Sequence, residues 1–280
     1  MNSSDGPIVA LLLRSRPQTL TIVRGMLSGL AELLEMDPEL LDDLKTSVSE
    51  ACNNVVLHAY DQEPGPMEIR VFADQDALRV TVSDEGVGLT GLAAGGDTAH
   101  GIGVSVIEAL TREARFAPRE GGGTEVTMVF AAERDGVPLF TAPGAAEAEL
   151  PLAPALDGEI EVSLSPVSLL SGVLGRLART LAAGAHFSLD RFSDVYLVTD
   201  TLAAHASRSA ATNRVLARIS AGERRLHSQL GPFRPGAGAM LTATEGDRIH
   251  SPLALLADEI EVRETAAGEL VDVVVIDHRD

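Results

Sequence analysis

Four short segments in the first half of the chain carry groups suited to a phosphorylated ligand. The first is Ser47-Val-Ser-Glu50-Ala-Cys-Asn53-Asn54-Val-Val-Leu-His58-Ala-Tyr60. Glu50 and Asn54 stand at i and i+4, so on a helix they project from one face. A carboxylate beside an amide oxygen suits a magnesium ion that keeps most of its waters and takes phosphate oxygens for the rest. The second segment is Asp84-Glu85-Gly86-Val87-Gly88. An acid at the end of a strand can accept a hydrogen bond from an exocyclic amine, and glycines let the backbone approach a ligand. The third is His100-Gly101-Ile102-Gly103, opening a predicted helix whose free amides and positive dipole end suit phosphate. The fourth is Gly122-Gly123-Thr124, with a hydroxyl at the start of a strand. Each segment alone is commonplace: E-x-x-x-N is usually a solvated helix face, and D-x-G-x-G is usually a turn. The four together, in this order, point to one site.

The elements that must position them are legible from periodicity. A strand is expected over Pro7 to Leu13, and a helix over Thr19 to Leu34 with apolar residues at Ile22, Met26, Leu30 and Leu33. Asp37-Pro38 starts a second helix that reaches about His58. Met67 to Ala73 and Ala77 to Ser83 form a predicted hairpin around Asp74-Gln75-Asp76. The glycine-rich stretch through Gly95 and Gly96 reads as a mobile loop, followed by a helix to Leu110 and a strand over Thr124 to Ala131. The order β-α-α-β-β-loop-α-β predicts a two-layer α/β sandwich with helices on one face of a mixed sheet.

Residues 134–157, rich in Pro and Ala, read as a linker between a unit at 1–133 and a second at 158–280. The second unit repeats the plan. A shift of about 150 residues sets Thr21 on Ser171, Glu50 on Asp200, Gly86 on Gly236 and Gly88 on Gly238. A tandem duplication of one α/β unit is therefore expected.

Composition narrows the function. Lys+Arg is 22 against 41 Asp+Glu, a net charge of −19 that would repel a nucleic-acid backbone. Aromatic residues are 3% and Trp is absent, which argues against a base-stacking platform. A single cysteine, Cys52, excludes both a disulfide framework and a cysteine zinc site within one chain. No apolar run approaches the roughly 18 residues of a membrane span, and the N-terminus is acidic before its short apolar stretch, a poor signal peptide. A cytoplasmic protein without direct nucleic-acid or membrane partners is expected.

The four segments resemble the N, G1, G2 and G3 boxes of the GHKL (Bergerat-fold) ATPases, over about residues 7–131. Within that superfamily, SVSEACNNVVLHAY is similar to the small anti-sigma-factor serine kinases. The resemblance implies a Bergerat fold, ATP and magnesium as cofactors, and a sigma factor and a STAS-domain anti-anti-sigma protein as partners. It implies Glu50 as general base, Asn54 as magnesium ligand and Asn53 as pocket lining. Asp84 would take the adenine amino group, with Gly86 and Gly88 beneath the base. Leu89 to His100 would be the lid, with His100, Gly101, Ile102 and Gly103 around the phosphates. Thr124 would support the adenine side. His58 and Tyr60 match the family's helix ending and read as packing residues.

One departure bears on turnover. The Bacillus-type kinases have an arginine shortly before the third segment's glycines, whereas this chain has Gly96-Asp97-Thr98-Ala99-His100, without Arg or Lys. A cation there would stabilise charge on a transferring phosphoryl group. A serine/threonine kinase acting on a STAS-type antagonist is the leading expectation, and a non-catalytic ATP-binding anti-sigma module is the alternative. In the second half, Asp200 replaces the glutamate, Ala204 the asparagine and Arg234 the aspartate, which predicts a degenerate domain that does not bind nucleotide. The family resemblance implies homodimers, so the fused copy could stand in the partner's place as an intramolecular pseudo-dimer.

Overall fold

The computed structural model describes residues 6–61, 63–88, 102–148, 152, 159–242, 244–245, 248–249 and 251–278. The first half contains strands β1 (Val9–Arg14), β2 (Pro66–Ala73), β3 (Ala77–Asp84), β4 (Glu113–Pro118) and β5 (Thr124–Ala131), with helices α1 (Thr19–Leu33), α2 (Pro38–His58) and α3 (Ile102–Leu110). A small hairpin, β6 (Glu133–Arg134) with β7 (Val137–Pro138), follows. The second half contains β8 (Glu159–Leu164), α4 (Leu170–Gly184), α5 (Leu189–Ser209), β9 (Val215–Gly222) and β10 (Arg225–Phe233). It continues with short elements α6 (Ala239–Thr242), β11 (Thr244–Glu245), β12 (Arg248–Ile249) and α7 (Leu253–Leu256), then β13 (Glu259–Thr265) and β14 (Gly268–Ile276). Among the described residues no helix is long and apolar enough to cross a membrane.

Local chemistry explains the helices. Asp37 caps α2, its carboxylate accepting from the amides of Glu39 at 3.0 Å and Leu40 at 3.2 Å, and Pro38 occupies the first turn, where no amide is needed. Ile22, Val23, Met26, Leu27 and Leu30 form the buried stripe of α1, and Leu40, Leu44, Val48, Ala51 and Val55 that of α2. Both stripes press onto β1, β2, β3 and β5, whose inward residues include Leu11, Leu13, Ile69, Val80, Val82 and Met128.

Ten strands form one sheet in the order β13-β14-β10-β9-β8-β1-β2-β3-β5-β4. Each pairing in it is antiparallel, which corrects the expectation of a mixed sheet. The reason lies in the connections. Two helices separate β1 from β2, so the chain descends along one, climbs along the other, and re-enters the sheet at the end where β1 left it, with Pro66 opposite Arg14. The single helix α3 is a crossover, but β5 lies between the strands it joins, β3 and β4, so they do not pair.

Outward from the centre the halves read β1-β2-β3-β5-β4 and β8-β9-β10-β14-β13, one strand order stated twice. They join through β1 and β8, from Val9↔Leu164 to Leu12↔Glu161. On the helical side α1 lies against α4, where Gly29 and Gly172 meet without room for side chains: a Cβ on Gly29 would stand 2.1 Å from the Gly172 carbonyl oxygen. Arg176 pairs with Glu32 at 2.7 Å beside this contact. The buried Arg214 guanidinium adds a polar tie, donating to Ser163 Oγ at 3.0 Å and to the Pro7 carbonyl at 2.7 Å. One apolar core runs through both halves, from Ile8 to Val275.

The described part of the expected linker is packed. The Leu139 amide donates to Ala132 O, the Asp37 amide to Leu139 O and the Thr141 amide to Leu34 O, at 2.7–2.8 Å. Leu139, Phe140 and Ala146 are buried. Three apolar side chains among prolines and glycines suffice to anchor an irregular segment along the base of α1 and α2. Strand β4 carries no apolar run, because as an edge strand it is only partly covered, and no sequence pattern announced it.

The glycine contact yields a prediction. Gly29→Val forces α1 from α4, since the clash is with backbone rather than with a movable side chain. Overpacking of this kind costs about 1–3 kcal/mol, and the denaturant midpoint of the full chain should fall accordingly. An unchanged midpoint would show that the junction tolerates separation.

Candidate functional site

Helix α2 carries both ends of the site. At its middle, Glu50 and Asn54 are half-buried and face the first turn of α3. A Cβ on Gly103 would lie 2.8 Å from Glu50 Oε2 and 3.8 Å from Asn54 Oδ1, so glycine here lets the start of α3 sit against both side chains. The i, i+4 spacing thus places the acid and the amide as expected, and Gly103 joins them. Asn53 is half-buried one position away, and Ile102 is exposed. His100 and Gly101, with the expected lid from Leu89, lie outside the described residues.

The other end of the site gathers where α2 stops. The Val87 amide donates to Ala59 O at 2.9 Å, and the Glu85 amide to the Tyr60 hydroxyl at 2.8 Å. Tyr60 in turn donates to Pro66 O at 2.6 Å. This hydroxyl therefore ties the end of α2, the start of β2 and the loop after β3 to one another. Burial pushes the phenol up to about 12, so it remains a protonated donor through the neutral range. Gly86 is required by proximity, since a Cβ would fall 2.0 Å from Ala59 O. Gly88 has a φ of +74°, a conformation that favours glycine.

Asp84 is buried at the end of β3. Its carboxylate accepts from the Gly86 amide at 2.8 Å and from the Thr124 amide. Burial raises its proton affinity above the ordinary aspartate range, while these two N–H groups and the nearby Arg119 guanidinium oppose the rise. Across from it, Gly123 has φ +88°, and a Cβ there would lie 2.0 Å from Asp84 O. The structure thus brings Asp84, Gly86, Gly88 and Thr124 to one place. It adds Arg119, whose Nη1 donates to Asp84 O at 3.1 Å. Sequence reasoning passed over Arg119, which stands alone in a turn with no spacing to mark it, and took Tyr60 for packing although it fastens the loop.

From Glu50 to Ala59 is nine residues of helix, about 14 Å at 1.5 Å each. The arrangement offers a buried hydrogen-bond acceptor at one end and a carboxylate–amide pair at the other. Among the described residues no cluster of three or more His, Cys, Asp or Glu could hold a metal by itself. One amide oxygen and one carboxylate do fit a magnesium ion that draws its remaining ligands from water and phosphate.

Residues 13–130 match the family model described as "Histidine kinase-like ATPase domain". Distant relatives lie among bacterial serine-protein kinases and anti-sigma F factors. "Serine-protein kinase RsbW" of Bacillus pumilus is 37% identical over 82 residues, covering 28% of this chain and 51% of that protein. The protein of the same name from Bacillus subtilis is 37% identical over 86 residues, 30% and 52% of the two chains. "Anti-sigma F factor" of Caldanaerobacter subterraneus is 28% identical over 123 residues, covering 41% of this chain and 86% of its own. The chain spans about half the length of the RsbW relatives it matches. A solved structure, "crystal form III of TP0453", covers 99% of this chain and 93% of its own, at 10% identity and a TM-score of 0.36, too low to support a common fold.

The Tyr60 hydroxyl can be tested directly. Tyr60→Phe removes the acceptor for Glu85 and the donor to Pro66, a loss of about 1–2 kcal/mol. The urea midpoint should drop, and amide exchange at residues 85–88 should quicken while that of β1 stays unchanged.

Proposed function

We propose that the chain is an ATP-dependent anti-sigma regulator that phosphorylates a serine or threonine of a STAS-type anti-anti-sigma protein. The observation that carries this reading is the placement of Gly103, at the start of α3, against Glu50 and Asn54 in the middle of α2, and of the Asp84–Gly88 loop at the end of α2. An adenine amino group would donate to Asp84, and Thr124 would support that side. The triphosphate would extend along α2 towards Gly103. Asn54 would hold magnesium, with Asn53 lining the pocket; the ion when bound offsets phosphate charge. Glu50 would accept the proton of the incoming hydroxyl as its oxygen bonds the γ-phosphorus and the bridge to ADP breaks. Such transfer depends mostly on positioning and on charge stabilisation. The anti-sigma F relatives support a sigma-factor partner and the serine-protein kinase relatives a protein substrate, while the STAS-type identity of that substrate rests on the resemblance of Ser47 to Tyr60.

A second reading is favoured by the lack of Arg or Lys in Gly96 to His100. In it, ATP stabilises a surface that captures a sigma factor, and no phosphate is transferred.

The second half supports an intramolecular pseudo-dimer. It repeats the strand order of the first, and its β8 covers the β1 edge that a second copy would otherwise meet. The buried residues of α2 from Leu44 to Val55 match those of α5 from Val195 to Ala206, which sets Thr201 and His205, rather than the expected Asp200 and Ala204, at the places of the acid and the amide; neither pair repeats them, which supports a degenerate copy that binds no nucleotide.

Labelled ATP with a panel of STAS proteins separates the two readings: transfer supports the kinase, and binding without transfer supports the module. For the kinase, Glu50→Ala should reduce transfer at least a hundredfold while leaving ATP affinity within a fewfold of the parent chain. Normal transfer by that variant would remove Glu50 as the base. Light scattering should give a mass near 29.3 kDa; a stable homodimer would count against the pseudo-dimer.

A further inference from the structure

We propose that Glu269 is an internal ligand that holds the second half's Gly236–Gly238 loop in a fixed conformation without any nucleotide. Glu269 begins the exposed-to-core path of β14, and it is only 6% exposed. One of its carboxylate oxygens accepts from the Gly236 amide, the other from the Gly238 amide at 2.7 Å. Both oxygens are thereby committed to the loop. The two N–H groups hold the carboxyl below the ordinary glutamate range, as expected for an anion in a cradle of amides.

The comparison with the first half shows what has changed. There Gly123 precedes Thr124, and a Cβ on Gly123 would lie 2.0 Å from Asp84 O. Here Gly268 precedes Glu269, and a Cβ on Gly268 would lie 2.3 Å from Phe233 O. The same close approach of two backbones is built twice. In the first half the acid stands on β3 and the hydroxyl residue opposite it. In the second half the acid stands opposite, on β14, and Arg234 follows β10. Arg234 is turned onto the end of α5: its amide donates to Ser209 O at 2.9 Å and its Nε to Ala210 O at 3.2 Å.

The loop is closed from the other side as well. A Cβ on Gly238 would stand 2.4 Å from Val262 Cγ1 and 3.1 Å from Glu269 Oε2. Buried His205 packs edge-on to Phe233, with ring centroids 5.1 Å apart, beneath the point where β10 enters the loop. The loop of the second half is thus packed and hydrogen-bonded by side chains of the chain itself. The surface beyond the loop, including exposed Met240, is presented in one form whatever nucleotide is available. The second half acts as a constant partner to the first.

Hydrogen exchange on the full chain, with and without magnesium–ATP, tests this. In the parent protein, peptides covering 234–242 should be protected without ATP and unmoved by it. Glu269→Ala should speed exchange there at least tenfold, with β1 and α2 unchanged. Should the alanine variant unfold the second half, Glu269→Gln decides: it keeps one acceptor but sets an NH2 against the other amide, so intermediate exchange is expected. Parental protection in both variants, or slowing of 234–242 by ATP in the parent chain, would overturn the proposal. The variant arms need no ATP binding, so a failure of the ATP reading leaves them interpretable.

Discussion

The candidate site depends on backbone meeting backbone where α2 ends. Gly86 lies against the Ala59 carbonyl and Gly123 against the Asp84 carbonyl, each at a distance that no Cβ could occupy. These two contacts set the end of β3 between a helix terminus and a hairpin. Asp84 is then held by geometry before any ligand arrives, and its burial costs are met by the amides of Gly86 and Thr124. Tyr60 completes the clamp with a single hydroxyl that both donates and accepts. A position fixed in this way needs little ordering when a ligand approaches, which is how a site gains affinity from rigidity.

The same constraint organises the relation between the halves. Each builds a glycine-mediated contact at the corresponding corner of its sheet, so the corner is a property of the strand order rather than of the ligand. What differs is where the carboxylate stands. In the first half both of Asp84's strongest partners lie on its own turn and the facing strand. In the second, Glu269 reaches across to two loop amides. The sheet joins these corners through β1 and β8, and the helices through Gly29 and Gly172, so neither half can shift without disturbing the common core.

Much of this was legible in the residues. Asp37-Pro38 and the apolar stripe from Leu40 to Val55 announce α2, and a helix at that place fixes Glu50 and Asn54 on one face. Gly86 and Gly123 could be picked out as glycines, but not why they are needed, because the atoms they accommodate come from Ala59 and Asp84, distant in sequence. The antiparallel sheet was hidden for a related reason: strand direction depends on how many helices intervene and on which strands end up adjacent. Strand β4 escaped notice because an edge strand can alternate without burying an apolar face. Glu269 carried no motif, since its partners are backbone amides, and backbone amides leave no trace in a sequence.

Arg119 sharpens the question of turnover. On the proposed reading, a cation near the Asp84 end of the site invites the idea that it replaces an arginine before Gly101, which Gly96 to His100 lack. Its position argues otherwise. Arg119 donates to the carbonyl of Asp84, at the end of β3, whereas Glu50, with Gly103 of α3 against it, stands about 14 Å back along α2 from Ala59. A guanidinium committed to the Asp84 end acts on the aspartate beside it, where it opposes the rise in proton affinity that burial imposes. Charge developing on a transferred phosphoryl group would be felt at the other end. If this chain transfers phosphate, the stabilising charge there has to come from the magnesium ion, from the α3 amides or from the protein substrate itself, and a substrate that supplies it would make turnover conditional on the correct partner.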